Sequence, residues 1–370
     1  MKFSVNQKDL QNSLNYCQGV IEKRSTLPIL SNVLLEAKNE NLKIIATDLD
    51  LIFIQNLSNI EISEEGQTTT FCSTMYDIVR KFNNEKKINF NLVSENKINL
   101  ESDKSSFNLN CLKASEFPIT EENFKENEFI LNSKKLLKLL NKCKFSVSND
   151  ETRHYLSGIF LHITESENKK FLTAVATDSH RMAISKTLLS EVIQFEPIIL
   201  PKKTIFQLCS LLEDYEGDVR ISNLKFKIKF EFNNMILISK LIDGKFPNYF
   251  QVIPKDNQKK LEIDLKPFLT SVDRVASVSL DKKDGLRMKL ANNNLNLSVN
   301  NSNSGDGNES LTIKFDHELD ISFNPRYLID IASNMDGNKI EIYFKESGSP
   351  ALIKDPSDFD TIYVIMPMKG

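Results

Sequence analysis

An internal repeat of about 130 residues constrains this sequence more than any other feature. Thr47-Asp48-Leu49 in IIATDLDLIF returns as Thr177-Asp178-Ser179 in AVATDSHRMAI, and Phe117-Pro118 returns as Phe246-Pro247. The two landmarks give nearly the same period, 130 residues from 47 to 177 and 129 residues from 117 to 246. A fixed period of this kind predicts copies of one structural unit arranged along the chain.

A third, weaker copy completes the 370 residues. The segments VNQKDLQNSLNYC, LNSKKLLKLLNKC and IDLKPFLTSVDRV each follow a short strand-like stretch and carry apolar residues at helical spacing. The chain therefore divides into three predicted domains, 1–126, 127–254 and 255–370. The predicted linkers, near 120–127 and 254–260, are charged and contain few large apolar residues.

Each unit also contains a second predicted helix and a set of alternating segments. Asn324-Pro325 is a strong helix start, since Asn caps the helix and Pro suits its first turn. Segments such as KINFNLVSENKINLESDKSSFNLNCL alternate with period two, which is typical of antiparallel strands. The predicted fold class is α+β, with two helices and about eight strands in each unit. The polar stretch 300–310 is predicted to be a mobile surface loop.

Composition narrows the class of protein. There are 47 basic and 50 acidic residues, a net charge of −3, and only eight of the basic residues are Arg. Because Arg is the commonest reader of guanine edges, sequence-specific DNA recognition is disfavoured. Five scattered cysteines without a CxxC pair, and an N-terminus without a signal-like apolar stretch, predict a cytoplasmic protein with no membrane span.

Motifs for catalysis or cofactor binding are missing from the sequence. The four histidines lack metal-ligand spacing, and there is no GxGxxG, GxxxxGK[ST] or GxSxG motif. Asp48 and Asp50 could form an acid–base pair, but Thr47-Asp48 recurs as Thr177-Asp178, which favours a turn-stabilising role. We therefore predict no catalytic residue, no metal and no cofactor.

The first predicted helix of the second repeat has an apolar face and a basic face. Leu136, Leu139, Leu140 and Cys143 share one face, and Lys135, Lys138 and Lys142 share the opposite one. The lysines have no Glu partners four residues away, so the face suits sequence-independent contact with phosphates as well as an ordinary solvated surface. The chain end, TIYVIMPMKG, is apolar and Met-rich, as surfaces that accept several partners often are.

These features together resemble one family, the β subunit of bacterial DNA polymerase III, the DNA sliding clamp. The matching strings are MKFSV, RSTLPIL at 24–30, RHYLSGIF at 153–160, VATDSHRMAI at 175–184, KLIDGKFPNY at 240–249 and YVIMPM at 363–368. The resemblance runs from end to end with the motifs in order. It implies a non-catalytic processivity factor whose three domains build a ring-shaped head-to-tail homodimer around double-stranded DNA.

The resemblance also implies partners and site residues. The partners are the DNA polymerase III α subunit, the clamp-loader complex, and other polymerases and repair proteins, bound through a short clamp-binding peptide. Matched by motif, the DNA-binding residues are Arg24, His154, Tyr155 and Lys203. The residues matched to the peptide pocket are Leu156, Thr177, His180, Arg181, Met182, Pro247, Val252, Val364, Met366, Pro367 and Met368. The residues matched to the dimer interface are Phe107 and Leu109 on one side and Ser277 and Val278 on the other.

Four positions depart from the family pattern: His154 replaces a common aromatic residue, Gln251 an Arg, Ser179 a Gly, and Ser277 a more apolar residue. Two other kinds of protein remain alternatives. An enzyme acting on nucleotides would require a charged or metal-bearing site. A three-repeat scaffold that binds only proteins would keep the apolar chain end but would have no reason to concentrate Lys on its helices.

Overall fold

The computed structural model describes residues 1–23, 26–83, 86–119, 128–191, 193–279 and 284–368. Each predicted domain contains two of the helices in these ranges. They are α1 (Gln7–Gln18), α2 (Cys72–Val79), α3 (Ser133–Lys144), α4 (Lys202–Leu212), α5 (Leu265–Ala276) and α6 (Pro325–Ser333). Within these ranges, no helix combines the length and the apolar character that crossing a membrane requires.

The strands of the described chain follow the same repeat. The first domain contains β1 (Lys2–Asn6), β2 (Asn32–Lys38), β3 (Asn41–Thr47), β4 (Leu51–Leu57), β5 (Glu61–Glu64), β6 (Gly66–Phe71), β7 (Lys87–Ser94), β8 (Lys97–Ser102) and β9 (Ser105–Leu112). The second contains β10 (Glu128–Asn132), β11 (Gly158–Ser166), β12 (Lys169–Thr177), β13 (Arg181–Leu188), β14 (Ile198–Pro201), β15 (Asp218–Leu224), β16 (Lys227–Phe232) and β17 (Met235–Lys240). The third contains β18 (Lys259–Asp264), β19 (Leu286–Ala291), β20 (Asn294–Asn301), β21 (Gly305–Thr312), β22 (Leu319–Phe323), β23 (Lys339–Phe344), β24 (Ala351–Asp355) and β25 (Asp358–Ile365). The predicted α+β class is confirmed.

The chain forms two compact units that do not coincide with the repeats. The first unit comprises Met1–Leu137, Ile193–Phe195 and Lys203–Leu241. Its strands make one 13-stranded antiparallel sheet in the order β10-β15-β16-β17-β4-β3-β2-β6-β9-β8-β7-β1-β5. Strands of the first and second repeats join where β4 pairs with β17. On this sheet, α1 packs against α2.

The second unit comprises Lys138–Val192, Glu196–Lys202 and Ile242–Gly370. It contains an eight-stranded sheet, β14-β11-β12-β13-β25-β24-β23-β18, and a four-stranded sheet, β21-β20-β19-β22. Strands of the second and third repeats join where β13 pairs with β25. This junction positions the site described below.

Local sequence patterns explain many of these elements. β4 (LIFIQNL) and β16 (KIKFEF) alternate between buried and half-buried side chains, as expected of strands with one face on a core. The predicted apolar face of α3 is buried along its whole length. At α6, the Asn324 side chain accepts a hydrogen bond from the Arg326 backbone amide at 3.0 Å, and Pro325 occupies the first turn. The predicted helix start is confirmed.

The prediction of a surface loop at 300–310 is wrong. Residues 305–312 form β21, which pairs with β20 from Gly305 opposite Asn301 to Thr312 opposite Asn294. β21 lies at one end of its sheet and exposes most of its side chains, so its polar composition resembles that of a loop. Backbone hydrogen bonds, which are independent of side-chain type, decide the outcome.

Candidate peptide and DNA interfaces

Three residues predicted to form the peptide pocket lie in a buried apolar cluster from the second and third repeats. Met182 on β13 lies opposite Val364 on β25 in the antiparallel pairing. Both side chains are buried and pack in one cluster with Leu156, Phe246 and Tyr249. Leu156, Met182 and Val364, distant in sequence, therefore pack together in the interior, next to the β13–β25 junction.

One wall of the pocket is the turn between β12 and β13. The backbone amide of Ser179 donates to Thr177 Oγ1 at 3.1 Å, and the amide of Arg181 donates to Asp178 Oδ1 at 3.0 Å. Ser179 has φ +76°, which is unfavourable for a residue with a side chain. These side-chain hydrogen bonds hold the turn in that conformation.

Arg181 ties this turn to α6. Its Nε donates to Asp178 Oδ2 at 3.0 Å, Nη1 pairs with Asp330 Oδ2, and Nη2 donates to the Phe145 carbonyl at 2.6 Å. The guanidinium also lies 4.4 Å from the centre of the Tyr327 ring. Because its donors are engaged and only 10% of the side chain is exposed, Arg181 chiefly shapes the site.

The Met-rich chain end is anchored beside the same turn. The Met366 amide donates to the His180 carbonyl at 2.8 Å, and the Met368 amide donates to the Ser322 carbonyl at 2.7 Å. Met366 remains 37% exposed. An apolar tail fixed by its backbone presents its side chains in one preformed arrangement, which favours ligand binding.

A cavity of about 660 Å³ opens between this turn, the chain end and α6. Its size is in the range typical of ligand sites. Five predicted residues line it: His180, Arg181, Met366, Pro367 and Met368. The other six predicted residues do not line it: Pro247 and Val252 are exposed, Thr177 ends β12, and Leu156, Met182 and Val364 are buried in the cluster described above. The remaining lining residues are Val147, Asn149, Asp178, Asn324, Arg326, Tyr327 and Asp330.

Lys203, predicted to contact DNA, is engaged within the first unit. Its Nζ donates to Asp48 Oδ2 at 2.6 Å, to Glu22 Oε1 at 3.0 Å and to the Val20 carbonyl at 2.8 Å. Burial lowers the pKa of Lys203, but the hydrogen bonds to Asp48 and Glu22 outweigh it and the pKa is raised. Asp48 Oδ1 also accepts the Leu51 amide at 2.6 Å, which confirms its predicted role in a turn.

The lysine face predicted on α3 is largely neutralised. Lys142 is buried, and its Nζ donates to the Asn334 carbonyl and lies 2.9 Å from Asp336 Oδ1. Lys138 Nζ lies 3.1 Å from Asp358 Oδ1. The prediction that Lys142 belongs to an open basic face is therefore wrong, because carboxylates from the third repeat pair with these lysines.

We expect Lys203→Met to lower the free energy of unfolding by about 1–2 kcal/mol. The Asp48 side chain is only 8% exposed and would lose its cation, although the 39% exposure of Lys203 moderates the loss through solvent screening. Urea denaturation measures the change, with Lys135→Met on the exposed side of α3 as control. Equal stability of the two variants would contradict a structural role for Lys203.

Comparison with known proteins assigns the whole chain to one family. Residues 1–121, 130–248 and 250–369 match the N-terminal, central and C-terminal domain models of the DNA polymerase III β subunit. The chain belongs to this family of DNA sliding clamps. The beta sliding clamps of Caulobacter vibrioides and Rickettsia felis are 34% and 33% identical to it, with both chains of each pair fully covered.

Solved clamp structures match the full fold. A Caulobacter crescentus beta sliding clamp matches with a TM-score of 0.95 and 34% identity, covering 100% of this chain and 99% of that one. A Bartonella birtlesii clamp bound to griselimycin matches with a TM-score of 0.95 and 34% identity over both whole chains. The protein is thus a DNA sliding clamp, a non-catalytic processivity subunit in DNA replication. The boundary predicted after residue 126 lies outside the described residues, and both boundaries remain predictions.

The structure describes three of the four residues predicted to bind DNA in this clamp, and Lys203 is treated above. Arg24 lies outside the described residues. His154 is exposed, and its Nε2 lies 3.1 Å from the Asp243 carbonyl. Tyr155 is half-buried and packs against the apolar cluster beneath the peptide pocket. Gly244, with φ +156°, approaches Tyr155 so closely that a Cβ atom would lie 3.1 Å from the Tyr155 Cβ.

Sequence reasoning missed the contribution of α6 to the peptide pocket. Asn324, Arg326, Tyr327 and Asp330 line the cavity, and the Tyr327 ring stacks on His180 with centroids 6.5 Å apart. The only sequence signal here was the helix start at Asn324-Pro325. Nothing in the sequence indicates that this helix faces the turn of the preceding repeat.

Proposed function

We propose that two copies of this clamp close head to tail into a ring around duplex DNA and so tether the replicative polymerase in the cytoplasm. The main support for the ring comes from two strand edges that have no neighbouring strand in the described chain. In the described chain, residues 105–110 of β9 pair only with β8, and β21 has a strand on one side only. Exposed strand edges are templates for pairing with another chain.

Side chains at the two edges support this pairing. Phe107 on β9 is 39% exposed, while Leu109 is nearly buried. Val278, at the end of α5, lies so close to β21 that a Cβ atom on Gly307 would be 3.3 Å from it. Ser277 is exposed beside it. An exposed aromatic ring on one edge and a small-residue surface on the other are suited to a heterologous, ring-closing interface.

DNA is held in this proposal by closure of the ring and only weakly by direct contact. Lys138, Lys142 and Lys203 already pair with carboxylates, which leaves few free cations on these helices. Binding to phosphates through so few contacts is weak and decreases with salt. His154 and Arg24 supply sequence-independent contacts with the duplex.

The peptide pocket receives a short segment of each partner, including the DNA polymerase III α subunit, the clamp loader and repair proteins. Support comes from the anchored Met-rich tail and the cavity beside it. A peptide with one Gln and two large apolar residues fits this lining. Apolar anchors in a preformed pocket typically provide most of the binding energy.

We expect a solution mass of about 85 kDa, twice the 42.3 kDa of one chain. Phe107→Asp places a charge on the proposed edge and should weaken dimerisation by roughly tenfold or more, since buried aromatic residues dominate interfaces. Sedimentation equilibrium over a range of concentrations measures both effects.

The control for this experiment is Phe359→Asp, which changes a Phe that is 88% exposed on β25, a strand that forms neither of the two proposed edges. It should leave the dimer intact. A monomer at every concentration for the unchanged chain, or equal dimerisation of the two variants, would contradict the proposed interface.

A further inference from the structure

Among the described residues that line the cavity beside the chain end, one charged side chain has no carboxylate partner. Arg326 lines it and is exposed, and among the described residues no carboxylate pairs with its guanidinium. Its own helix offers a partner four residues later, Asp330, at the spacing where opposite charges on a helix usually meet. That partner is engaged elsewhere.

The contacts of Arg181 explain why Arg326 is left unpaired. Asp330 pairs with Arg181, whose Nε donates to Asp178 Oδ2. Arg181 also stacks on Tyr327, which lies on α6 next to Arg326. Arg181, Asp178 and Asp330 are therefore paired with one another, and in the described part of the cavity Arg326 is the charged group that is left to meet a ligand.

We propose that Arg326 determines specificity by selecting partner peptides that carry a carboxylate beside their apolar anchors. This inference rests on the proposed peptide pocket and adds a charge preference to it. The apolar anchors contact the Met366–Met368 side of the cavity, and the carboxylate pairs with the Arg326 guanidinium on the α6 side. Guanidinium groups bind carboxylates with two parallel hydrogen bonds, which adds orientation to the charge attraction.

The test compares matched labelled peptides by fluorescence anisotropy. Each carries one Gln and two adjacent large apolar residues, with Asp or Asn placed in turn on either side of the apolar pair. At low salt, at one of these positions, we expect the Asp peptide to bind about two- to fivefold tighter than its Asn counterpart, the range for a solvent-exposed ion pair. High salt should reduce this preference.

Substitutions at Arg326 separate a specific contact from general electrostatics. Arg326→Gln should bring the ratio of the Asp-peptide to the Asn-peptide affinity to about one, whatever the absolute affinities, and Arg326→Lys should restore part of the preference. Lys135→Gln removes one positive charge from α3 and should leave the preference unchanged. An undiminished preference in Arg326→Gln, or none in the unchanged clamp, overturns the inference.

The outcomes also distinguish this inference from the proposed pocket. If the Asn peptide binds and depends on residues 366–370 but no Asp preference is found, only the role of Arg326 fails. If no peptide binds the unchanged clamp, or if binding does not depend on those residues, the pocket fails and the role of Arg326 fails with it.

Discussion

On nicked circular DNA the loaded clamp should persist at least about tenfold longer than on the same DNA after linearisation, at a salt concentration that weakens direct contacts. The reason is that Lys138 and Lys142 on α3 and Lys203 on α4 are paired with carboxylates, so that closure of the proposed ring must supply the retention. The clamp is loaded with its loader and ATP, the circle is cut with a restriction enzyme, and bound protein is followed by gel filtration.

Two comparisons complete this experiment. Linear DNA with both ends blocked by a tightly bound protein should retain the clamp as the circle does, because the ring cannot slide off. Phe107→Asp, which opens the proposed interface, should not be retained on any template. Equally fast dissociation from circular and linear DNA would exclude topological linkage.

Deleting residues 366–370 should reduce peptide affinity by about a hundredfold, near 2.7 kcal/mol. The deletion removes the apolar side chains of Met366, Pro367 and Met368 from the cavity and the two backbone hydrogen bonds that hold them. β25 ends at Ile365, so the sheet that joins the second and third repeats remains complete. Anisotropy titration with the peptide that contains one Gln and two large apolar residues measures the loss.

A point variant guards against indirect effects of the truncation. Met366→Asp keeps the chain length and the backbone hydrogen bond to His180 while it places a charge in the apolar cavity, and it should also reduce affinity at least about tenfold. The dimer mass and the thermal unfolding temperature of both variants should match those of the unchanged clamp. Unchanged peptide affinity after the truncation would show that the peptide binds elsewhere.

Features that depend on neighbouring residues could be predicted from the sequence. The three-fold repeat, the buried face of α3 and the capped start of α6 all follow from periodicity and from hydrogen bonds within a few residues. The turn at Thr177-Asp178 is of the same kind, since its side chains bond to amides two or three residues away. Motifs of this range also carried the resemblance to sliding clamps, which comparison with known proteins then confirmed.

Which charges are left unpaired, and which elements face each other, depends on packing between distant segments and could not be predicted from the sequence. Lys142 meets Asn334 and Asp336 from the next repeat, so a lysine stripe that is continuous on a helical wheel is mostly neutralised in the folded chain. In the same way, Arg181 forms an ion pair with Asp330 on α6, and Arg326 is left without a carboxylate partner at the cavity. Such pairings join residues more than a hundred positions apart, and helical or strand periodicity carries no information about them. They arise when packing of the sheets brings two repeats together and desolvated charges must find partners.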